Sequence, residues 1–136
     1  MRTPTFLSAG QLSHQFNDGN DAGTWTVFAT NPDGQTSNTL SFTVTASAPS
    51  ISNVSPASYQ ASYNSQTMSI YGGNFQNGAT VTFHDPQGNS YVRTPAFISS
   101  SQLSYQFNDG SDAGTWTVFV TNPGGVTSNT VSFTVK

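Results

Sequence analysis

Apolar residues recur at every second position in several short stretches of the chain, each bounded by Gly, Pro, Asn, Asp or Ser. A period of two indicates a β-strand with one buried face and one face in water. The stretches return roughly every ten residues, which is typical of a β-sandwich. The inward positions predicted for the later part of the chain are Ile51, Val54, Met68, Ile70, Phe75, Ala79, Val81, Phe83, Leu103, Tyr105, Phe107, Trp116, Val118, Val120, Val131, Phe133 and Val135.

The chain contains an internal repeat. Residues 2–44 align without a gap onto residues 93–135 at a constant offset of 91, and 33 of the 43 aligned positions are identical. Similarity of this degree indicates repeated structural modules. The segment 49–92 occurs once, so the chain order is back half, front half, back half. The predicted organisation is the C-terminal half of a repeat at 1–45, a joint at 46–48 and a complete sandwich module at 49–136.

Charge is sparse, and its distribution excludes several classes of protein. The chain has three basic and six acidic residues, no Glu, and a net charge of −3. Because helices normally expose Glu and Lys, this composition favours an all-β fold. The basic patch that nucleic acids require is missing, and no apolar run reaches the roughly 20 residues of a membrane span. We therefore expect no nucleic-acid partner, no membrane insertion and, from the Ser-, Thr- and Asn-rich surface, an extracellular or cell-surface location.

One motif has the spacing of the corner found in immunoglobulin domains. That corner reads Asp, any residue, Ala or Gly, any residue, Tyr, any residue, Cys. Here Asp112, Gly114 and Trp116 take the first three fixed positions, and Val118 stands in the Cys position. An indole N–H can donate to a nearby carbonyl as a phenol does, so we expect Trp116 to make a corner hydrogen bond. The first copy carries the motif at Asp21, Gly23 and Trp25.

Together with this corner, three segments resemble the IPT/TIG family of immunoglobulin-like domains. They are 70–75 (IYGGNF), 78–81 (GATV) and 121–125 (TNPGG). The resemblance implies an immunoglobulin-like β-sandwich over 49–136, but it implies no single activity. Members of the family serve as adhesin stalks, receptor ectodomain modules, spacers in polysaccharide-degrading enzymes and DNA-contacting domains. The DNA-contacting members rely on basic loops, which this sequence lacks.

The side chains from which active sites are usually built are scarce. The chain has no Cys and no Glu, and its one Lys is Lys136. Acid–base and nucleophilic catalysis need paired titratable groups or an activated nucleophile, and the two His residues lie in different halves. We expect no enzymatic activity. His14, which aligns with Tyr105, should be half-buried, and His84 beside a turn should be solvated.

Two loops, 108–112 (NDGSD) and its copy 17–21 (NDGND), collect side-chain oxygens. Carboxylate and amide oxygens are ligands that calcium accepts. The candidate ligands are Asp109, Asp112, Asp18 and Asp21. The same residues are strong turn formers, and the loops lack the bidentate Glu of an EF-hand. A plain loop is the preferred interpretation and a calcium site is the alternative; no other cofactor is expected.

Three aromatic residues are predicted to face outwards from their strands. Phe119 and its copy Phe28 point outwards if Trp116 and Val118 point inwards, and Tyr71 does so on another strand. Such rings could stack on sugar rings or pack against a neighbouring module. Single exposed aromatic residues are also normal on protein surfaces. The sequence leaves all three interpretations open.

The first half-module carries apolar side chains that need a cover. Burying one large apolar side chain contributes about 1.5–3 kcal/mol, so covering eight is worth on the order of 10 kcal/mol. The chain has one front half for two back halves, so we expect another chain or module to complete residues 1–45, giving a homo-oligomer or a fibre. The eight residues are Phe6, Leu12, Phe16, Trp25, Val27, Leu40, Phe42 and Val44.

Two functions follow as hypotheses. The first is a non-enzymatic structural repeat of an extracellular fibre, adhesin stalk or spacer, assembling through sandwich completion or module packing. The near-identity of the copies and the charge-poor surface favour it. The alternative is a carbohydrate-binding accessory module of a secreted polysaccharide hydrolase, which would use Phe119, Tyr71 or their neighbours.

Overall fold

The computed structural model describes residues 1–17 and 21–136. These residues contain no helix and form thirteen strands, so the predicted all-β class is confirmed. Within the described residues, no helix has the length and apolarity needed to cross a membrane. The chain divides into two compact units, 1–46 and 47–136.

Two antiparallel strand pairs make up the first unit. They are β1 (Thr5–Ser8) with β2 (Gln11–Ser13), and β3 (Gly23–Val27) with β4 (Leu40–Val44). In the second pair Trp25 lies opposite Phe42. The ring of Phe16 contacts both of them, with centroid distances of 5.9 Å to Trp25 and 5.6 Å to Phe42. A small aromatic cluster therefore joins Phe16, which follows β2, to the β3–β4 pair.

The second unit is a two-sheet sandwich. Its strands are β5 (Ser50–Ser55), β6 (Ser58–Tyr59), β7 (Gln66–Gly73), β8 (Thr80–His84), β9 (Ser90–Arg93), β10 (Ala96–Ser99), β11 (Gln102–Phe107), β12 (Gly114–Thr121) and β13 (Val131–Val135). One sheet has the order β10-β11-β7-β5 and the other the order β6-β13-β12-β8-β9. Neighbouring strands are antiparallel, except that β6 runs parallel to β13.

The core lies between these sheets and follows the alternation read from the sequence. On β12, for example, Trp116, Val118 and Val120 are buried, whereas Thr117 and Phe119 are half-buried on the other face. Tyr105 and Val131 differ from the prediction because they are only partly buried and pack at the margin of the core. The fully buried residues are Ile51, Val54, Tyr59, Met68, Ile70, Phe75, Ala79, Val81, Phe83, Leu103, Phe107, Trp116, Val118, Val120, Phe133 and Val135.

The two copies of the repeated half have the same local structure. β1–β2 and β10–β11 share one register, including a shift between Phe6 and Ser8 in the first copy and between Phe97 and Ser99 in the second. The loop after β3 and the loop after β12 are each closed around a Gly with a positive φ, 91° at Gly34 and 86° at Gly125. Glycine adopts this left-handed conformation without a steric cost, which explains its presence in both loops.

Candidate functional site

The corner motif forms the same hydrogen bond in both copies. The indole N–H of Trp116 donates to the backbone carbonyl of Asp112 at 2.9 Å, and that of Trp25 donates to Asp21 at 3.0 Å. In the second copy, Gly114 lies between Asp112 and Trp116 and has a φ of 140°. A Cβ added to it would lie 2.6 Å from a ring carbon of Pro86. The corner therefore needs glycine for two reasons, its backbone conformation and its close approach to Pro86.

Asp109 ties two loops of the second unit together. Its buried carboxylate accepts hydrogen bonds from the backbone N–H of Ser62 and of Ser111, both at 2.8 Å, and a longer one of 3.4 Å from the amide of Gln66. Three donors from the protein thus occupy the oxygens that calcium would need. No group of three His, Asp or Glu side chains among the described residues could hold a metal ion. Calcium remains a prediction, and its candidate Asp18 lies outside the described residues.

A second buried carboxylate, Asp85, was not foreseen as a functional or structural centre. It accepts hydrogen bonds from the backbone N–H groups of Gln87 (2.9 Å) and Asn89 (2.8 Å) and from the Asn89 amide (2.7 Å). The hydroxyl of Tyr91 donates to it as well, at 2.9 Å. Burial alone would raise the pKa of Asp85, but the hydrogen bonds from Asn89, Tyr91 and Gln87 outweigh burial and lower it. The turn sequence DPQGN contained the signal, since Asp commonly caps such turns with its side chain.

Tyr91, whose hydroxyl donates to Asp85, lines a cleft with a volume of about 300 Å³. The ring of Tyr91 stacks on Trp116 at a centroid distance of 6.1 Å, and the guanidinium of Arg93 lies 5.6 Å from the Tyr91 centroid. Tyr105 and Asp112 also line this cleft. Hydrogen bonding to Asp85, burial and the negative charges of Asp85 and Asp112 together raise the pKa of Tyr91. Aromatic walls beside a few polar groups are typical of small-molecule sites.

The sequence did not identify this cleft, because its residues come from strands that are distant along the chain. Tyr91 is contributed by β9, Tyr105 by β11 and Trp116 by β12. The repeat provides one further observation: Tyr105, which lines the cleft, is replaced by His14 in the first copy.

Of the three outward aromatic residues, the two in the second unit lie on different sheets. Tyr71 is partly exposed on β7 in the four-stranded sheet, whereas Phe119 lies on β12 in the five-stranded sheet. Phe119 is only half-exposed, because the ring of His84 lies against it at 5.9 Å. Phe28 is exposed and belongs to the first unit.

Both histidine predictions were wrong. His14 is exposed and not half-buried, because the strands that cover its counterpart Tyr105 are present only in the second unit. His84 is half-buried and not solvated, because it ends a strand whose neighbour, β12, places Thr117 and Phe119 beside it. The Thr117 hydroxyl lies 3.5 Å from Nδ1 of His84.

The fold of the second unit defines an immunoglobulin-like β-sandwich. The model of the IPT/TIG domain matches residues 49–135, more than half of the chain, and the chain belongs to this family. IPT/TIG domains are non-catalytic. No curated protein matches the chain significantly.

Solved structures give distant similarities. The chitinase ChiW, a cell-surface-expressed multi-modular enzyme of Paenibacillus sp. str. FPU-7, aligns over 67% of this chain with 21% identity and a TM-score of 0.44. SGBP-B of the Bacteroides ovatus mixed-linkage glucan utilization locus, solved with a mixed-linkage heptasaccharide, aligns over 98% with 16% identity and a TM-score of 0.41. This chain covers 9% of the first protein and 35% of the second.

Proposed function

We propose that the chain is a non-enzymatic structural repeat of an extracellular stalk, fibre or spacer, and that its complete module carries tension. The observation behind this proposal is the parallel pairing of β6 with β13. β6 lies near the start of the second unit and β13 at its end. A pull on the two ends of the unit would load this pair along its length, in shear, so that its hydrogen bonds resist together.

The backbone hydrogen bonds of this terminal clamp include three at the ends of the paired strands. The N–H of Thr134 donates to the carbonyl of Ala57 at 3.1 Å, that of Lys136 to Tyr59 at 2.9 Å, and that of Ala61 to Lys136 at 2.7 Å. The clamp is anchored in the core, because the buried ring of Tyr59 contacts Phe107 and Phe133 at 5.5 and 5.7 Å. Separating β6 from β13 would therefore also require pulling the Tyr59 ring out of the core.

The polar side chains of the module support a structural role too. The carboxylates of Asp85 and Asp109 are buried and accept hydrogen bonds from loop and strand residues, as described above. Asn129 links β5 to the segment before β13 by accepting from the N–H of Ile51 and donating to its carbonyl, at 2.8 and 2.9 Å. The amide of Asn122 donates to the carbonyl of Asn74 at 2.7 Å. Side chains that could carry chemistry are thus used to fix loops.

Single-molecule force spectroscopy on the full chain tests the proposal. The chain has no Cys, so cysteine handles can be introduced at positions 47 and 136 without competition. We expect one discrete unfolding event that lengthens the chain by roughly 300 Å, at about 3.3–3.6 Å per residue. Ala61→Pro, which removes one clamp donor, should lower the unfolding force. Smooth extension without an event, or an unchanged force in the Ala61→Pro variant, would contradict the proposal.

The aromatic cleft favours a second candidate, a carbohydrate-binding accessory module. Tyr91 and Tyr105 provide ring faces, and Arg93, Asn108 and Asp112 provide polar groups at the same cleft. Sugars are bound by this combination of apolar ring faces and hydrogen-bonding groups. In this candidate the cleft replaces the outward Phe119 and Tyr71 as the binding surface, because those two lie on different sheets.

Affinity electrophoresis of the full chain in gels containing plant or bacterial polysaccharides distinguishes the two candidates. Binding at the cleft should retard the chain, and Tyr105→Ala should lower the affinity derived from the retardation at least ~10-fold, equivalent to about 1.4 kcal/mol. Phe119→Ala is the matched control on an outer face and should have no effect. If no polysaccharide retards the chain, the carbohydrate candidate is wrong.

A further inference from the structure

The cleft beside Tyr91 and Tyr105 lies wholly within the second unit, and some of its polar groups already serve the fold. The carboxylate of Asp109 accepts the three hydrogen bonds described above. The amide of Asn108 donates to the carbonyl of Tyr63 at 2.6 Å. Because these contacts hold loops in place, recognition of a ligand falls mainly to the other polar groups of the cleft.

The carboxylate of Asp112 is one group that remains available. The residue is half-buried, and its backbone N–H and carbonyl bond to Asp109 and Trp116 at 3.0 and 2.9 Å. Its side-chain oxygens have no hydrogen-bond or ion-pair partner in residues 1–17 and 21–136. A partly buried carboxylate without a partner gains more from an incoming cation than a fully exposed one does. The corner thus leaves a free negative charge at the cleft.

Arg93 and Tyr105 provide the other available groups. To the described residues, the guanidinium makes one hydrogen bond, from Nη1 to the carbonyl of Val92 at 2.9 Å, and the Tyr105 hydroxyl makes none. Arg93 and Asp112 line the same cleft but form no ion pair with each other within the described chain. The guanidinium lies instead against the ring of Tyr91 at 5.6 Å, as a cation–π contact. An aromatic wall of the cleft therefore already accommodates a positive charge.

The charge around the cleft is predominantly negative. Asp109 and Asp112 line it, and Asp85 accepts the hydrogen bond of Tyr91, so three carboxylates face the one guanidinium of Arg93. An anionic ligand would be repelled, whereas a cationic one is attracted, more strongly in a partly enclosed cleft than in bulk water. With a volume of about 300 Å³, the cleft has room for a sugar residue and not for a long stretch of polysaccharide.

We propose that the cleft binds a sugar with a free amino group, of the glucosamine type. The ammonium group pairs with the carboxylate of Asp112, an apolar face of the sugar ring packs against Tyr105, and a sugar hydroxyl accepts a hydrogen bond from Arg93. The proposal rests on the second candidate function, carbohydrate binding at the cleft, and names the class of sugar. Because N-acetylation removes the positive charge, acetylated sugars are weaker ligands.

Three tetrasaccharides with the same β-1,4-linked backbone test this proposal. They are built from glucose, N-acetylglucosamine or glucosamine, and differ only in the group at carbon 2. Isothermal titration calorimetry with the full chain at about pH 5.5, where amines are protonated and aspartates ionised, measures each affinity. We expect the glucosamine tetramer to bind at least ~10-fold more tightly than the other two. Added salt should reduce this preference, because it screens the charge pair.

Two charge-matched variants locate the effect. Asp112→Asn removes the free carboxylate and keeps the backbone bonds of the corner, which the indole N–H signal of Trp116 reports. It should lower the affinity for the glucosamine tetramer at least ~10-fold, to the level of the acetylated one. Asp21→Asn removes the same charge at the aligned position, where Asp21 is exposed and His14 replaces Tyr105. It should change the affinity less than ~2-fold.

The possible failures are distinguishable. Equal affinity for the three tetramers would leave carbohydrate binding intact and overturn the amino-sugar proposal. An equal loss of affinity in Asp112→Asn and Asp21→Asn would overturn it too, because the attraction would be to the net charge of the chain. If no tetramer binds but another polysaccharide retards the chain in a gel, the amino-sugar proposal alone is wrong. If no saccharide binds in either assay, both proposals are wrong.

Discussion

The two copies of the repeated half show the same local structure in two different environments. Residues 2–44 and 93–135 share 33 of 43 positions, the same hairpin registers and the same Gly-containing loop. They differ in what lies over their apolar faces. Strand pairing within each hairpin is therefore determined locally, whereas burial and the full length of β11 and β12 depend on the front half.

The corner hydrogen bond is another feature that is determined locally. The indole-to-carbonyl distance is 3.0 Å in the first copy and 2.9 Å in the second, although Trp25 is half-buried and Trp116 is buried. The bond spans four residues, so it needs no distant partner. What the front half adds is the packing around the indole, including the stacked ring of Tyr91.

The largest expected difference between the copies concerns their central Phe. Phe107→Ala should lower the free energy of unfolding of the second unit by about 3–5 kcal/mol, because a large ring is removed from a packed core. Phe16→Ala, the same change in the exposed copy, should cost less than about 1 kcal/mol. Urea denaturation followed through the two indole N–H signals in NMR spectra reports on each unit separately. Equal costs in both copies would mean that the first unit is already covered.

A smaller difference is expected at the corner. Trp116→Phe removes a buried donor and leaves the Asp112 carbonyl without it, so we expect a loss of about 1–3 kcal/mol. Trp25→Phe removes the same bond where water can replace it, and should stay within about 0.5 kcal/mol. Here near-ultraviolet circular dichroism during urea denaturation follows the remaining tryptophan and tyrosines. If both variants lose the same amount of stability, the loss comes from the corner hydrogen bond itself and not from the packing around the indole.

The features that could be predicted from the sequence depend on residues close together along the chain. Alternation identified the strands and nearly all buried positions, and the corner spacing led us to expect an indole hydrogen bond. Features assembled from distant segments were missed, such as the cleft between Tyr91 and Tyr105 and the contact of His84 with Phe119. His14 was misjudged for the same reason: its burial depends on strands that only the other copy possesses.

Acid should affect the second unit through Asp85, a residue in the segment that occurs once. Its pKa is lowered in the folded state, so its contribution to stability is present above the unfolded value of about 3.9 and is lost as pH falls through the folded value. Asp85→Asn should be less stable at neutral pH but lose less stability between about pH 4 and pH 2. Urea midpoints at several pH values would measure this. If the urea midpoints of the wild type and of Asp85→Asn fall equally with pH, groups other than Asp85 cause the acid response.

The smallest effect is expected at Tyr59, whose ring covers Phe107 and Phe133 while their copies Phe16 and Phe42 have no such cover. Its buried hydroxyl has no hydrogen-bond partner among the described residues, and burial raises its pKa to about 12. Tyr59→Phe removes an unpaired polar atom and keeps the ring, so stability at neutral pH should change by between zero and about +1 kcal/mol.

The pH dependence of that variant separates the hydroxyl from the ring. Between about pH 10 and 12 the unfolded chain ionises Tyr59 and the folded chain does not, so the wild type loses stability as pH rises and Tyr59→Phe loses less. Thermal denaturation at pH 7, 10 and 11 would show the gap widening in favour of the variant. A destabilised variant at pH 7 would mean that the hydroxyl is hydrogen-bonded, and that the front half covers the back half with a polar contact as well as with an aromatic ring.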